Sequence, residues 1–144
     1  MDLSITTPAL LFPAISLMML AYTNRFLALA SLIRNLHAQY KKEPAEKHLI
    51  QQIRNLRARI RLIRSMQGFG VLSFLFCIIC MFSIFNGWEA VSYIVFAASL
   101  LSFVISLIFS LTEIVLSMRA LEVELSDMED LTKASFFKDI LNRE

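Results

Sequence analysis

The chain has 144 residues, of which 57% are hydrophobic and only 18% are charged, whereas about 25% of the residues in a soluble domain are charged. This length has room for one membrane domain with helical extensions and excludes a separate soluble enzyme domain. The net charge of +2 conceals an asymmetry. Nine basic residues oppose two acidic ones between positions 31 and 67, whereas eight acidic residues oppose four basic ones between 113 and 144.

Three long apolar stretches follow one another at about 9–30, 69–86 and 90–112. Each approaches or exceeds the roughly 20 residues that a helix needs to cross about 30 Å of hydrocarbon. None alternates apolar and polar residues, and three strands cannot close a barrel. We therefore predict an all-α integral membrane protein with three transmembrane helices, which forms a single domain over residues 1–144.

The distribution of charge predicts the orientation in the membrane. The start of the chain holds Asp2 and no basic residue before Arg25, which favours a retained first span over a cleaved signal peptide. The segment 31–67 holds most of the basic residues, so the positive-inside rule places it in the cytoplasm. The short link 86–89 has no lysine or arginine and belongs outside. The N-terminus is therefore expected outside, and the tail 113–144 in the cytoplasm.

The spans are expected to continue past the membrane as a cytoplasmic helical hairpin at 31–67, with its turn from Lys41 to Pro44, and a helical tail. In the hairpin and in the tail, apolar residues recur at spacings of three and four, which is typical of a coiled coil. The hairpin seam consists of Leu49, Ile53, Leu56, Ile60 and Ile63, and the tail seam of Leu121, Leu125, Met128 and Leu131 or Thr132.

The basic face of the hairpin consists of Arg54, Arg57, Arg61 and Arg64. One interpretation is packing against the acidic tail, within the chain or between subunits. The other is binding of anionic lipid headgroups. Nucleic acid is not an expected partner, because the segment lacks the aromatic residues of a nucleic-acid-binding surface.

Arg25 is a charged residue near the cytoplasmic end of the first span. Charges in a span are candidates for a functional site. Two interpretations are open. Arg25 either reaches the interface as an anchor, or points inward, where it pairs with Glu113 or lines a pore.

Small and polar residues form a stripe along each of two spans. On the first helix the stripe consists of Ala14, Ala21, Asn24, Ala28, Ser31, Asn35 and Ala38. On the third it consists of Ser99, Ser102, Ser106, Ser110, Glu113, Ser117 and Ala120. Such stripes serve close helix packing or line a water-filled path shared among subunits. Because three helices enclose little space, a path of this kind requires a homo-oligomer.

The sequence contains no catalytic constellation, metal site or cofactor-binding motif, and we predict no enzymatic activity and no cofactor. Cys77 and Cys80 lie within an apolar run, where packing between helices is favoured over redox chemistry. His37 and His48 have no neighbouring carboxylate or cysteine that would complete a metal site.

The run from Ile15 to Arg34 resembles a family of small bacterial membrane proteins of unknown function, most specifically at Tyr22-Thr23-Asn24-Arg25 and at Arg34. The resemblance covers most of the chain and implies a bacterial inner-membrane protein with three spans. The predicted topology is also similar to that of the ExbB/MotA-type stators, although no stator motif matches residue by residue.

These observations favour a homo-oligomeric channel that conducts an ion. Its candidate pore or intramembrane polar residues are Asn24, Arg25, Ser31, Ser99, Ser102, Ser106, Ser110 and Glu113. The alternative is a non-conducting membrane scaffold whose cytoplasmic helices bind a protein partner or anionic lipid.

Overall fold

The computed structural model describes residues 3–42 and 47–142 and consists of three α-helices. They are α1 (Thr6–Lys42), α2 (Lys47–Phe85) and α3 (Glu89–Leu141). At about 1.5 Å per residue, their 37, 39 and 53 residues make helices of about 56, 58 and 80 Å, longer than the roughly 30 Å of hydrocarbon. All three are long and apolar enough to cross a membrane. The predicted all-α fold class is confirmed.

The spans and their predicted extensions form continuous helices. Gly68 and Gly70 lie inside α2 without interrupting it. In the predicted turn between the first two helices, Lys41 and Lys42 still belong to α1, whereas 43–46 lies outside the described residues.

α2 is the central helix, because it packs along both α1 and α3. Towards α1, the rings of Phe12 and Phe74 have centroids 4.1 Å apart. Towards α3, the hydroxyl of Ser106 donates to the carbonyl of Met66 at 2.8 Å. Residue numbers fall along α2 as they rise along its neighbours, so α2 is antiparallel to both, and α1 and α3 run parallel to each other.

The buried face of α1 repeats every seventh residue. Its buried residues are Pro8, Ile15, Tyr22, Leu29 and Leu36. Seven residues are nearly two helical turns of 3.6, so these side chains stand in one line along the helix. On α2, Leu56, Ile63 and Met66 pack against this line, which makes the apolar core.

The link between α2 and α3 is a tight turn at Asn86-Gly87-Trp88. The amide of Trp88 donates to the carbonyl of Ser83 and that of Gly87 to the carbonyl of Ile84, both at 3.0 Å. This pattern is a Schellman motif, which needs a left-handed residue after the helix. Gly87 supplies it with a φ of 74°.

α3 leaves the bundle well before it ends. Its last buried residue is Glu113, and every residue of 118–142, here called the α3 extension, is exposed. On the N-terminal side of Arg59, the seam of α2 packs on α1 rather than on α3. There Leu56 belongs to the apolar core cluster together with Leu29 and Leu36. The packing of the acidic tail on the basic hairpin, expected as one alternative, is therefore absent within the described part of the chain.

Candidate functional site

Each helix contributes one charged side chain to a cluster of Arg25, Arg59 and Glu113, here called the charged cluster. Nη1 of Arg25 lies 2.5 Å from Oε2 of Glu113, and Nη2 of Arg59 lies 3.2 Å from Oε1. The same Nη2 donates to the hydroxyl of Ser117 at 2.9 Å. The carboxylate thus binds one arginine with each oxygen and joins α1 and α2 to α3.

Glu113 is almost fully enclosed, with 2% of its side chain exposed, whereas Arg59 is 18% and Arg25 38% exposed. A buried carboxylate is tolerated only when it is paired and hydrogen-bonded. The pairing is incomplete on the side of Arg59. Within the described residues, its Nε is buried with no hydrogen-bond partner.

The charged cluster lies at the border of the apolar spans. Glu113 stands 24 positions after Glu89, the first residue of α3, which is about 36 Å along the helix. The hydrocarbon core is about 30 Å thick. The cluster therefore lies just beyond a membrane-length part of α3, at the end remote from the α2–α3 turn. Arg25 adopts the inward-pointing alternative, paired with Glu113.

A groove opens beside the charged cluster between α1 and α3. Its volume is about 260 Å³, and it is lined by Arg25, Ala28, Leu29, Leu32, Arg59, Glu113 and Ser117. One water molecule needs only roughly 10–15 Å³. The groove therefore has room for a polyatomic group beside both arginines.

The serine stripe of α3 lies in the interface with α2. The hydroxyls of Ser99 and Ser73 each donate to the carbonyl of the other residue at 2.9 Å, and Ser106 donates to Met66. Ser102 and Ser110 are also buried. These buried serines take the packing role, because their small side chains let the helices approach, and Ser99 and Ser106 also bind backbone carbonyls of α2 across the contact.

The two cysteines lie in the same interface. Both are free and buried, and Sγ of Cys77 lies 3.0 Å from Oγ of Ser99. This placement agrees with packing between helices. Among the described residues, no group of three or more His, Cys, Asp or Glu side chains is arranged to hold a metal ion.

The small-residue stripe of α1 lies on a different side of its helix from the buried line. All seven of its members, Asn24 and Ser31 included, are exposed. The two predicted stripes therefore have different surroundings. That of α3 contacts α2, whereas that of α1 is open to lipid, water or another molecule.

The basic residues of α2 divide between two faces. Arg54, Arg57, Arg61 and Arg64 are exposed and form a stripe about 15 Å long. At about 100° per residue, this stripe lies nearly opposite the buried seam of Leu56, Ile63 and Met66.

Arg59 was missed by the sequence analysis as a site residue. It stands three residues after Leu56 and four before Ile63, so it occupies a position of the buried seam. A charged residue at a seam position was the available signal, because such a residue needs a partner from another helix.

Three membrane-length helices in one bundle, with a charged cluster at the border of the spans, define a small three-span helical membrane protein. The family described as "Protein of unknown function (DUF2721)" matches residues 5–123. The chain belongs to this family, and the resemblance to a family of unknown function is confirmed. The charged cluster lies inside the matched range, and most of the α3 extension lies beyond it. No curated protein and no solved structure matches the chain.

Proposed function

We propose that the protein is a non-conducting, homo-oligomeric scaffold of the bacterial inner membrane, in which the α3 extension of one copy binds the neighbouring copy. The α3 extension carries this proposal. It continues for about 36 Å beyond the bundle, and its seam residues Leu121, Leu125 and Met128 are 59%, 56% and 64% exposed. An exposed apolar seam of this kind outside the membrane is typical of a surface that another molecule covers.

The covering surface we propose is the end of α1 in a second copy. Contacts of α1, and of Leu3 just before it, with α3 join residues that are 84 to 90 positions apart, such as Tyr22 with Ser106 and Arg25 with Glu113. The same offset puts Lys41 and Lys42 level with residues 125–132. In a ring of identical copies, equivalent residues of neighbouring copies lie at the same height along the ring axis, so Lys41 and Lys42 of one copy lie level with residues 125–132 of the next.

The α3 extension and the end of α1 have opposite charges and exposed apolar residues at the same height. The α3 extension has six acidic and three basic residues, and Asp127, Glu129 and Asp130 are level with Lys41 and Lys42. Tyr40, 37% exposed, is level with Leu125 and Met128. Within the described chain no ion pair involves these acids. Attraction between the two surfaces would select the partner and the register.

The arginine stripe of α2 supports a second contact of the scaffold, with an acidic helix of another protein. Its four side chains follow the helix away from the membrane, so a flat headgroup layer meets only Arg64 and Arg61. An acidic helix lying alongside meets all four. The basic charge of this segment also supports a cytoplasmic location under the positive-inside rule.

The test is the oligomeric mass of the full chain in mild detergent, measured by light scattering. Wild type is expected to be an oligomer. Leu125→Glu and Lys41→Glu/Lys42→Glu are expected to shift it towards monomer, because they place charge in the seam or repel the acids. Val123→Glu is the matched control. Val123 is 63% exposed on the opposite side of the helix, and the variant is expected to remain oligomeric.

Charge exchange makes this test specific. Asp127→Lys/Asp130→Lys, combined with Lys41→Glu/Lys42→Glu, is expected to restore the oligomer. A wild-type protein that is monomeric, or an oligomer unaffected by Leu125→Glu, would overturn the proposal.

An ion-conducting channel is the second candidate, and the exposed stripe of α1 favours it. If that stripe surrounds the axis of an oligomer, Asn24 and Ser31 line a polar path there. The scaffold is preferred because Ser99, Ser106 and Glu113 bind α2 or the arginines instead. Ion flux into liposomes that contain the oligomer separates the two candidates. Conductance that changes in Asn24→Leu or Ser31→Leu would replace the scaffold by the channel.

A further inference from the structure

We propose that the groove beside the charged cluster binds the phosphate group of an anionic phospholipid, in the leaflet remote from the α2–α3 turn. The site consists of Arg25 and Arg59, with Ala28 at its side. This inference rests on the bundle itself, so it is independent of how copies assemble.

The charges of the cluster leave an excess for an anion. Two guanidinium groups oppose one carboxylate, which is a formal charge of +1. Arg25 and Arg59 both line the groove, and their side chains are 38% and 18% exposed, so each guanidinium group has donors left over for a ligand there. Guanidinium groups bind phosphate with paired, charge-assisted hydrogen bonds. An anion in the groove would receive these donors and balance the charge.

The position of the charged cluster along α3 favours a lipid, rather than free phosphate, as the source of the phosphate group. The charged cluster is about 36 Å along α3 from Glu89, just beyond the roughly 30 Å of hydrocarbon, where headgroups begin. A phosphate held there leaves its acyl chains level with the apolar spans. Basic pockets between transmembrane helices are known to hold anionic headgroups in this way.

The exposed arginine stripe of α2 does not take the same role. Its members are exposed on the outer face of their helix, and none of them lines the groove. Surface charges of this kind attract lipid weakly and are screened by salt. The stripe therefore provides a matched control for charge without a built site.

The experiment measures the thermal unfolding midpoint of the full chain in neutral detergent. Phosphatidylglycerol, phosphatidylcholine and inorganic phosphate are titrated separately. Phosphatidylglycerol is expected to raise Tm by several degrees and to saturate, because it binds the folded state alone. Phosphatidylcholine carries the same phosphate without net charge and is expected to act at much higher concentration.

Two variants locate the effect. Ala28→Trp, at an exposed position, fills the groove without a change in charge. Arg25→Gln removes one of the two guanidinium groups that bind the phosphate, while Arg59 stays paired with Glu113. Each is expected to need at least about tenfold more phosphatidylglycerol for half of its effect, because Ala28→Trp blocks the groove and Arg25→Gln removes charge-assisted hydrogen bonds to the phosphate. Arg61→Gln/Arg64→Gln is expected to respond as wild type does.

Three results would overturn the inference. The first is equal stabilisation by inorganic phosphate and phosphatidylglycerol, which would assign the groove to a free anion. The second is an unchanged response in Ala28→Trp, which would place the lipid elsewhere. The third is loss of the response in Arg61→Gln/Arg64→Gln alone, which would assign lipid binding to the arginine stripe.

Discussion

Glu113 is the residue on which three helices converge. Its carboxylate accepts from Arg25 and Arg59, and Arg59 also donates to Ser117 on the same helix as Glu113. A buried ion pair is not necessarily more stabilising than apolar packing of the same shape, but removal of one partner leaves the others uncompensated. The carboxylate of Glu113 therefore fixes how α1 and α2 are aligned along α3.

Replacement Glu113→Gln is expected to destabilise the fold by about 3–5 kcal/mol, because Arg59 would stay buried opposite a neutral amide. Unfolding in mixed detergent and denaturant measures the loss. Glu129→Gln is the matched control, since Glu129 is exposed on the α3 extension, and its effect is expected to stay within about 0.5 kcal/mol. Equal stability of the two variants would show that the cluster does not hold the helices together.

At the scale of the helix, α3 consists of two parts with different surroundings. Between Ser92 and Glu113, α3 has its buried positions along α2, whereas every residue of the α3 extension is exposed. An isolated helix in water is only marginally stable, since most helical stability in proteins comes from the packing of one face. We therefore expect the helical conformation of the α3 extension to be most stable when another surface covers its seam.

Hydrogen exchange is expected to differ between the α3 extension and the part of α2 around Leu56, although both lie outside the apolar spans. In the monomeric Leu125→Glu variant, amides of 121–141 should exchange much faster than those of 53–66, whose side chains pack on α1. In the wild-type oligomer the extension should become protected. Equal protection of both segments in the monomer, or an unprotected extension in the oligomer, would contradict this prediction.

At the scale of the whole molecule, opposite ends of the bundle differ in charge. The end with the α2–α3 turn has no lysine or arginine near Trp88, whereas the other end carries Lys41, Lys42 and the arginine stripe. Membrane proteins place such basic segments in the cytoplasm. The charge difference therefore predicts one orientation for the whole bundle.

Labelling with a membrane-impermeant maleimide tests that orientation in intact cells. Trp88→Cys is expected to react at once, because Trp88 is exposed at the turn and the turn is predicted outside. Lys42→Cys is expected to react only after permeabilisation. Wild type is the control, since its two cysteines are buried between helices. The reverse pattern would invert the predicted topology.

The three helices, their length and their apolar character were predictable from the sequence, because a long apolar run with helical periodicity has few alternatives in a membrane. Part of the site was predictable too. Arg25 and Glu113 were named as possible partners, since an intramembrane charge requires one. Arg59 escaped notice among the neighbouring arginines, although its seam position separates it from them.

Only the tertiary structure decided which surface each stripe contacts. The serines of α3 contact α2, the small residues of α1 remain exposed, and α3 leaves the bundle beyond Ser117. Periodicity shows which side of a helix is small or polar, but not what covers it. In a bilayer, lipid tails are as apolar as leucine, so burial of apolar surface does not select the neighbouring helix. That selection came from hydrogen bonds between serines and carbonyls and from the pairing of Glu113 with two arginines.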